Sequence, residues 1–351
     1  MSRAQTATVL VLGVGGNVSQ GIVKALRCGP TPVRIVAACI SPLSTGLYAG
    51  DVALISPRAD ATEFVEWVAE VCLREGVAGI FSGVEPVLLA LARHAASLRE
   101  RTGAVVVTSS PEVLAIGQDK LVTARWLQER GLPYGRAADV VDRAAVEALV
   151  AESGFPLVVK PRAGKGAQGV LLVHDEHALR VASGGGQIVQ EHLGSEDDEF
   201  TVGCFCDADG VLRGTIVMHR TLVSGTTATA RVGVFPRVRE IAERVVRELA
   251  PTGPCNVQLR VHDGVPTPFE LNVRFSGTTP IRARLGFGEV DLALRHLVLG
   301  EPAEDLRVVT SGIAMRYWDE LYVETEAVDA IARDGRLDDA RARRLPGSGT
   351  L

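Results

Sequence analysis

Glu270-Leu271-Asn272-Val273-Arg274-Phe275-Ser276-Gly277 is the stretch on which the reading of this chain turns. Residues two apart on a strand share a face. Glu270, Asn272 and Arg274 therefore look one way, and Leu271 and Val273 the other. A second strand precedes it at Cys255–Val261, with Asp263-Gly264 as the turn signal between them. Gln258 then joins the polar face, while Val257 and Leu259 join the apolar one. An apolar face packs, so the polar face opens on a cleft. Carboxylate and amide oxygens are hard ligands that suit Mg²⁺ held jointly with phosphates. An arginine just beyond them is placed to meet a transferred phosphoryl group. A surface hairpin with alternating polar residues explains the same letters.

Upstream, Lys160 ends the strand Leu157–Lys160, which holds its charge on a rigid platform. Gly164-Lys165-Gly166-Ala167-Gln168-Gly169 follows. Glycines let backbone N–H groups fold over phosphate oxygens, and a lysine adds charge. A plain hairpin turn is the alternative. Three glycines in six residues also bury little apolar surface, so this segment is expected to open easily and to close over phosphates. Gln190-Glu191-His192-Leu193 ends another strand before a polar run. A strand that becomes a linker can offer N–H and C=O groups to an adenine edge. Glu199, just after it, can accept from ribose hydroxyls. An ordinary connection between lobes fits these residues as well.

Further out, the first part of the chain alternates strand and helix. Thr8–Leu12, Val33–Cys39, Ala78–Phe81 and Ala104–Val107 read as strands, with helices at Asn17–Leu26, Glu63–Leu73 and Pro86–Leu98. That order implies a parallel sheet covered on both faces. Its opening loop, Gly13-Val14-Gly15-Gly16-Asn17-Val18, has Val18 where a dinucleotide fingerprint needs its last glycine, and no acid ends the second strand. NAD is disfavoured. A tight turn, or a helix N-terminus that binds an anionic substrate group, fits instead. From Asp119 the pattern changes to a small α+β lobe and then to a hairpin-rich one, with Glu199–Cys206 and Val211–His219 paired and a helix from Pro236.

Composition sets outer limits. A net charge of −5 argues against a duplex nucleic-acid binder. No apolar run is long enough for a bilayer span, and no signal-peptide pattern opens the chain. The six cysteines form no CxxC pair, which argues against zinc and suggests free thiols in a reducing cytoplasm.

Together these residues resemble the ATP-grasp enzymes. Lys120, Lys160-Pro161, the glycine loop, Glu191-His192-Leu193 and the Glu270–Gly277 stretch recur there in this order and spacing. The nearest likeness is to the synthetase units of carbamoyl-phosphate synthetase and related carboxylate–amine ligases, over residues 1–317. The resemblance implies an α/β N-terminal parallel-sheet domain (1–115) and a two-lobed α+β ATP-grasp domain. Its small lobe spans 116–193 and its large lobe 194–323, with a helix and loose tail at 324–351. It implies that Lys120 and Lys160 contact ATP phosphates and that Gly164, Lys165, Gly166, Gln168 and Gly169 close over them. Gln190, Glu191, His192 and Leu193 bracket adenine, Glu199 meets the ribose, and Gln258, Glu270 and Asn272 hold Mg²⁺, with Mn²⁺ able to substitute.

The implied reaction joins a carboxylate to an amine through an acylphosphate, with release of ADP and phosphate. Lys160, Arg231 and Arg274 neutralise charge. Glu85, Arg220, Ser276, Gly277, Thr278 and Arg282 are the substrate-binding candidates. Glu85 is equally explained as an acid at a helix N-terminus. A single synthetase unit argues against carbamoyl phosphate synthesis. Partners are then a small-molecule carboxylate and an amine, with no nucleic acid, no membrane, and a homodimer as the expected assembly. The alternatives are a carboxylase or formyl-transferring enzyme acting on a nucleotide precursor, or a nucleotide-binding module without turnover.

Overall fold

The computed structural model describes residues 6–164, 168–195, 198–308 and 311–349. Strands β1 (Ala7–Leu12), β2 (Val33–Cys39), β3 (Val52–Ile55), β4 (Val77–Ser82) and β5 (Val105–Val106) form a parallel sheet in the order β3-β2-β1-β4-β5. Their runs of Val, Ile and Leu suit strands buried on both faces. Leu10, Leu12, Val36 and Ala38 pack toward helix Phe64–Glu75. Val9, Val11, Ile35 and Ala37 pack toward helix Asn17–Cys28. Strand order reverses at β1, so the loops that leave β1 and β4 border a crevice.

The small lobe is an antiparallel sheet of β6 (Ala137–Asp139), β7 (Leu157–Pro161), β8 (Leu171–Val173) and β9 (Gln187–Glu191), in the order β6-β9-β7-β8. Helices Arg143–Ser153 and Glu176–Ala182 cover one face, where Leu149 and Leu179 meet Leu157, Val159 and Val189. Strand alternation turns Val158, Lys160 and Gln190 to the other face.

The large lobe is an antiparallel sheet of β10 (Glu199–Cys206), β11 (Leu212–Val223), β12 (Thr226–Val232), β13 (Gly253–His262), β14 (Val265–Asn272) and β15 (Gly312–Met315). Its order is β14-β13-β10-β11-β12-β15. Helix Pro236–Leu249 covers the face that carries Val202, Val217, Val257 and Leu271. Asp263 and Gly264 both take positive φ (49° and 76°), the geometry of a two-residue hairpin turn.

Two expectations need correction. Pro86–Leu98 is not one helix but two, Glu85–Ala92 and Ala95–Thr102, broken at Arg93-His94. The tail after residue 323 is not loose. Helix Thr325–Asp334 leads into β16 (Arg336–Asp338), which pairs antiparallel with β3 and completes the N-terminal sheet. Ala327, Ile331 and Leu337 bury themselves in that domain's core. Among the described residues, no helix is long and apolar enough to cross a membrane.

Candidate functional site

A slot of about 250 Å³ lies between the two lobes. Val158, Val170, Leu172, Leu193, Leu222 and Phe269 give it apolar walls, which suit a flat ring. Charge gathers at Lys120, Lys160, Arg220 and Arg260. Lys120 is the first residue of helix Lys120–Glu129, and its Nζ reaches the carbonyl of Gly164 at 3.3 Å. Lys160 is only 7% exposed. Burial pulls its pKa down to about 8, against the opposing attraction of Glu270. Phe269 lies 5.7 Å from both the Lys160 ammonium and the Arg260 guanidinium, within cation–π reach.

The glycine loop is described only at its ends. Gly164 (φ 136°) and Gly169 (φ 70°) hold conformations that favour glycine, and Gln168 lines the slot. Lys165 and Gly166, with the closing role read for them, lie outside the described residues.

At the other end, the side chains of the linker serve the scaffold. Gln190 donates to the Gly135 carbonyl at 3.1 Å. The Glu191 carboxylate accepts from the Arg136 backbone N–H at 2.7 Å and from its guanidinium at 2.8 Å. The N–H and C=O groups of Glu191, His192 and Leu193, on which the adenine reading rests, remain at the slot, with the Leu193 side chain on its wall. Glu199 is likewise engaged, and its reading as a free ribose acceptor is corrected. One oxygen accepts from Arg220 at 2.6 and 3.0 Å, and the other from Arg260 at 2.8 and 3.0 Å. With each oxygen doubly occupied, the carboxylate fixes two guanidinium groups at the slot.

The polar face of β13 and β14 forms as its alternation requires. Gln258 stands opposite Glu270, and Asn256 opposite Asn272. Asn272 Nδ2 donates to Glu270 Oε1 at 2.9 Å, which turns its own Oδ1 elsewhere. Gln258 Oε1 accepts from Arg220 at 2.8 Å, so this oxygen is already in use. With Gln258 engaged by Arg220, Glu270 and the Asn272 amide oxygen remain for a cation whose other oxygens and charge come from phosphates. No group of three His, Cys, Asp or Glu residues that could hold a metal unaided occurs among the described residues.

Past Glu270 the slot meets a cavity of about 800 Å³ that reaches the N-terminal domain. Asn17 and Glu85, from the loops after β1 and β4, face Arg274, Ser276, Gly277 and Thr278 across it. Gly83 permits the two loops to touch, since a Cβ there would stand 2.2 Å from Val18. Arg274 bonds Glu85 Oε1 at 2.8 and 3.1 Å, an ion pair between the domains. Glu85 is the first residue of helix Glu85–Ala92, so the helix-terminus reading and the cleft reading both hold.

Two arginines fall elsewhere. Arg231 pairs with His219 across β12 and β11. Arg220 is one residue on from His219, so Arg231 lies on the opposite face of the sheet, exposed and away from both cavities. Its catalytic assignment is therefore corrected. Arg282 is wholly buried, and its assignment to a substrate carboxylate is corrected too. It pairs with Glu289 at 3.0 Å and bonds Asn256, Ser276 Oγ (2.7 Å) and Thr278 Oγ1 (2.9 Å). It therefore sets the turn Ser276-Gly277-Thr278 from beneath. Sequence reading missed Arg260, Phe269, Asn17 and Arg316, all of which line the cavities. Arg260 was within reach, as it stands two residues beyond Gln258 on the same strand.

Comparison with known proteins agrees with this architecture. The family described as "ATP-grasp in the biosynthetic pathway with Ter operon" matches residues 186–321, and the PylC-like N-terminal domain matches residues 9–107. The carbamoyl phosphate synthase large chain of Methanosphaerula palustris is 26% identical over 85% of this chain and 30% of its own length. That of Halobacterium salinarum is 26% identical over 90% of this chain and 33% of its own. The chain thus spans about a third of the curated relatives it matches. N5-carboxyaminoimidazole synthetase from Staphylococcus aureus, solved with ADP, superposes with a TM-score of 0.71. The match has 13% identity and covers 93% of this chain and 86% of that one. The biotin carboxylase domain of Hydrogenobacter thermophilus 2-oxoglutarate carboxylase, a dimer solved with MgADP, ADP and bicarbonate, gives 0.68 at 15% identity, over 94% and 76%. The chain carries an ATP-grasp domain behind a PylC-like N-terminal domain.

Proposed function

We propose that this chain joins a carboxylate to an amine at the expense of ATP, through an acylphosphate. The observation that carries this reading is the continuity of the two cavities. The apolar slot and the larger cavity share Gly164, Gln168, Arg220, Gly225, Gln258 and Glu270. A nucleotide with its base against Leu193 and Phe269 directs its phosphates past Lys120 and Lys160 to that shared boundary. An acceptor enters from the N-terminal side.

The chain's own groups then position and neutralise. Lys120 and Lys160 hold phosphate oxygens. Arg220, fixed by Glu199, and Arg274, fixed by Glu85, supply charge at the boundary. Glu270 and Asn272 would hold magnesium, which neutralises charge between the phosphates when bound. A carboxylate oxygen of the acceptor attacks the γ-phosphorus and ADP leaves. The amine nitrogen then attacks the acyl carbon, and phosphate leaves with the bonding electron pair and takes up the proton the nitrogen loses. Enclosure between the lobes keeps water from the acylphosphate.

The test is a panel of amino acids scored for ATP-dependent phosphate release, with nucleotides separated by chromatography and products weighed by mass spectrometry. ADP with one amide formed per phosphate supports the reading. AMP and pyrophosphate refute it. ADP release that needs bicarbonate or formate and no amino acid moves the chain to the carboxylase or formyl-transfer class.

A further inference from the structure

The glycine loop leaves the small lobe through a neck that one side chain ties down. Strand β7 ends at Pro161, and Arg162 and Ala163 lead to Gly164. The Arg162 backbone is held on both sides. Its N–H donates to the Gly186 carbonyl at 3.0 Å, one step beyond the Pro161–Gln187 pair of β7 and β9. Its carbonyl accepts from the Lys120 N–H, also at 3.0 Å. Arg162 therefore stands between the two lysines read as phosphate contacts. It is two residues after Lys160 and bonded to Lys120.

The side chain repeats the connection. Its Nε donates to Asp119 Oδ2 at 2.9 Å, and one terminal nitrogen donates to the same oxygen. The other terminal nitrogen donates to Asp139 of β6 at 2.7 Å. Asp119 is the cap of helix Lys120–Glu129, and its Oδ1 accepts from the N–H groups of Leu121 and Val122 at 2.9 and 3.3 Å. One carboxylate thus fixes the start of the helix with one oxygen and the neck of the loop with the other. Burial pushes the Asp119 carboxyl up, but Arg162 and the two N–H groups hold it below its ordinary range. The planar fork of an arginine reaches two acids in one geometry, which a lysine ammonium does not.

Stability is a poor reason for this arrangement. The Arg162 and Asp119 side chains are 33% and 27% exposed, and ion pairs open to water to that extent contribute little to folding. Placement is the better reason. Lys120 reaches the neck twice, through its N–H to the Arg162 carbonyl and through Nζ to the Gly164 carbonyl at 3.3 Å. A phosphate draws Nζ away from that second carbonyl. The backbone bond and the Arg162–Asp119 pair are then what keeps the helix end on the neck.

We propose that Arg162 is a positioning residue. Through Asp119 it holds Lys120 at a fixed span from Lys160 and from the mouth of the glycine loop, so that both ammonium groups meet one run of phosphates. Arg162 lines neither cavity, so it acts through Lys120 and not on the nucleotide itself. The inference rests on the reading of Lys120 and Lys160 as phosphate contacts, and it adds the residue that sets their spacing.

The experiment titrates the full chain and its variants with a non-hydrolysable ATP analogue and Mg²⁺ by isothermal calorimetry. Arg162→Gln should weaken the analogue by about 10- to 100-fold, the worth of a charged hydrogen bond. Asp119→Asn keeps a good helix cap but loses the charge, and it should weaken the analogue too. Arg162→Lys should recover only part of the loss. Because Arg162 acts through Lys120, its removal should cost little more once Lys120→Gln is present, whereas independent effects would add. Leu149→Val, in the core of the small lobe, should lower the melting temperature and leave affinity for the analogue as it was. Unchanged affinity in Arg162→Gln, or losses that add to those of Lys120→Gln, overturns the proposal. So does an equal loss in Leu149→Val, since the ion pair would then serve only the stability of the lobe. Unchanged affinity in both Lys120→Gln and Lys160→Gln sinks the phosphate reading on which the proposal rests. Weakened binding in the lysine variants with none in Arg162→Gln sinks this inference alone.

Discussion

Lys160 shows how a single residue couples burial to ligand binding. Burial brings its ammonium to about 8 from an ordinary 10.5. Between those values the unfolded chain binds more protons than the folded one, so stability should rise with pH across that window. Nucleotide binding has the opposite dependence, because phosphate oxygens require the charged form. Titrations with a non-hydrolysable ATP analogue should show affinity falling as pH rises through about 8. Lys160→Arg, which stays charged, should flatten the fall. A wild-type profile that is level across this range would show that Lys160 does not meet the phosphates. Glu270 and Asn272 make a second case. Glu270→Gln and Asn272→Ala should leave the melting temperature close to wild type and lower turnover by about 10²- to 10³-fold, the usual loss for a preorganised charge partner. Near-normal Mg-dependent ATP consumption in both variants would sink the site assignment.

At the level of strands and helices, the site is a matter of which face a residue occupies. The alternation at the end of β14 was legible because five consecutive residues, Glu270 to Arg274, switch between polar and apolar, the last two just past the strand. Nothing comparable marks β12. Without its register against β11, the face of Arg231 could not be read, and a basic residue near Arg220 was placed on the wrong side. The short strands β3 and β6, of four and three residues, are too brief for a period to show. Arg282 failed for another reason. Its partner Glu289 comes from the next helix, and only the tertiary structure brings the two together. Burial pushes the Glu289 carboxyl up, while Arg282 and the Thr279 hydroxyl hold it down. Glu289→Gln would leave a wholly buried guanidinium without its counter-charge. The expected loss is about 3–5 kcal/mol, seen as a lower urea midpoint at unchanged slope. A loss below about 1 kcal/mol, the worth of a surface pair, would mean the pair is dispensable. Gly203, on β10, lies against the same guanidinium. A Cβ there would stand 2.5 Å from the Arg282 guanidinium carbon, so Gly203→Ala should destabilise the sheet by about 1–3 kcal/mol through overpacking.

Across the whole molecule, the chain returns to where it began. The N-terminal domain contributes one wall of the larger cavity, with Asn17 and Glu85 on it. It is itself closed by the segment after residue 323, through β16 on the edge of β3. The arginine- and alanine-rich composition of that segment concealed this, because only Ala327, Ile331, Leu337 and Ala340 reach the core. A charged cluster fixes the join. Glu75 ends helix Phe64–Glu75 and meets Arg34, Arg74 and, from β16, Arg336. Burial by itself raises the Glu75 carboxyl, but the arginines more than reverse it and hold it at about 2, below an ordinary 4.5. A depressed carboxyl contributes stability that is complete above its unfolded value and is lost as pH falls toward the folded one. Docking of β16 should therefore weaken between about 4.5 and about 2. Hydrogen exchange of Arg336–Asp338 and of β3 should accelerate together in that window, ahead of β1 and β4. In Glu75→Gln the two strands should exchange faster at neutral pH, and the acid dependence should shrink. Ile331→Ala, which empties a buried site far from both cavities, should cost about 2–5 kcal/mol and leave KM for ATP unchanged. If Ile331→Ala melts like wild type, or if β3 keeps its protection when β16 loses it, the segment is a loose tail after all and the N-terminal sheet is complete without it.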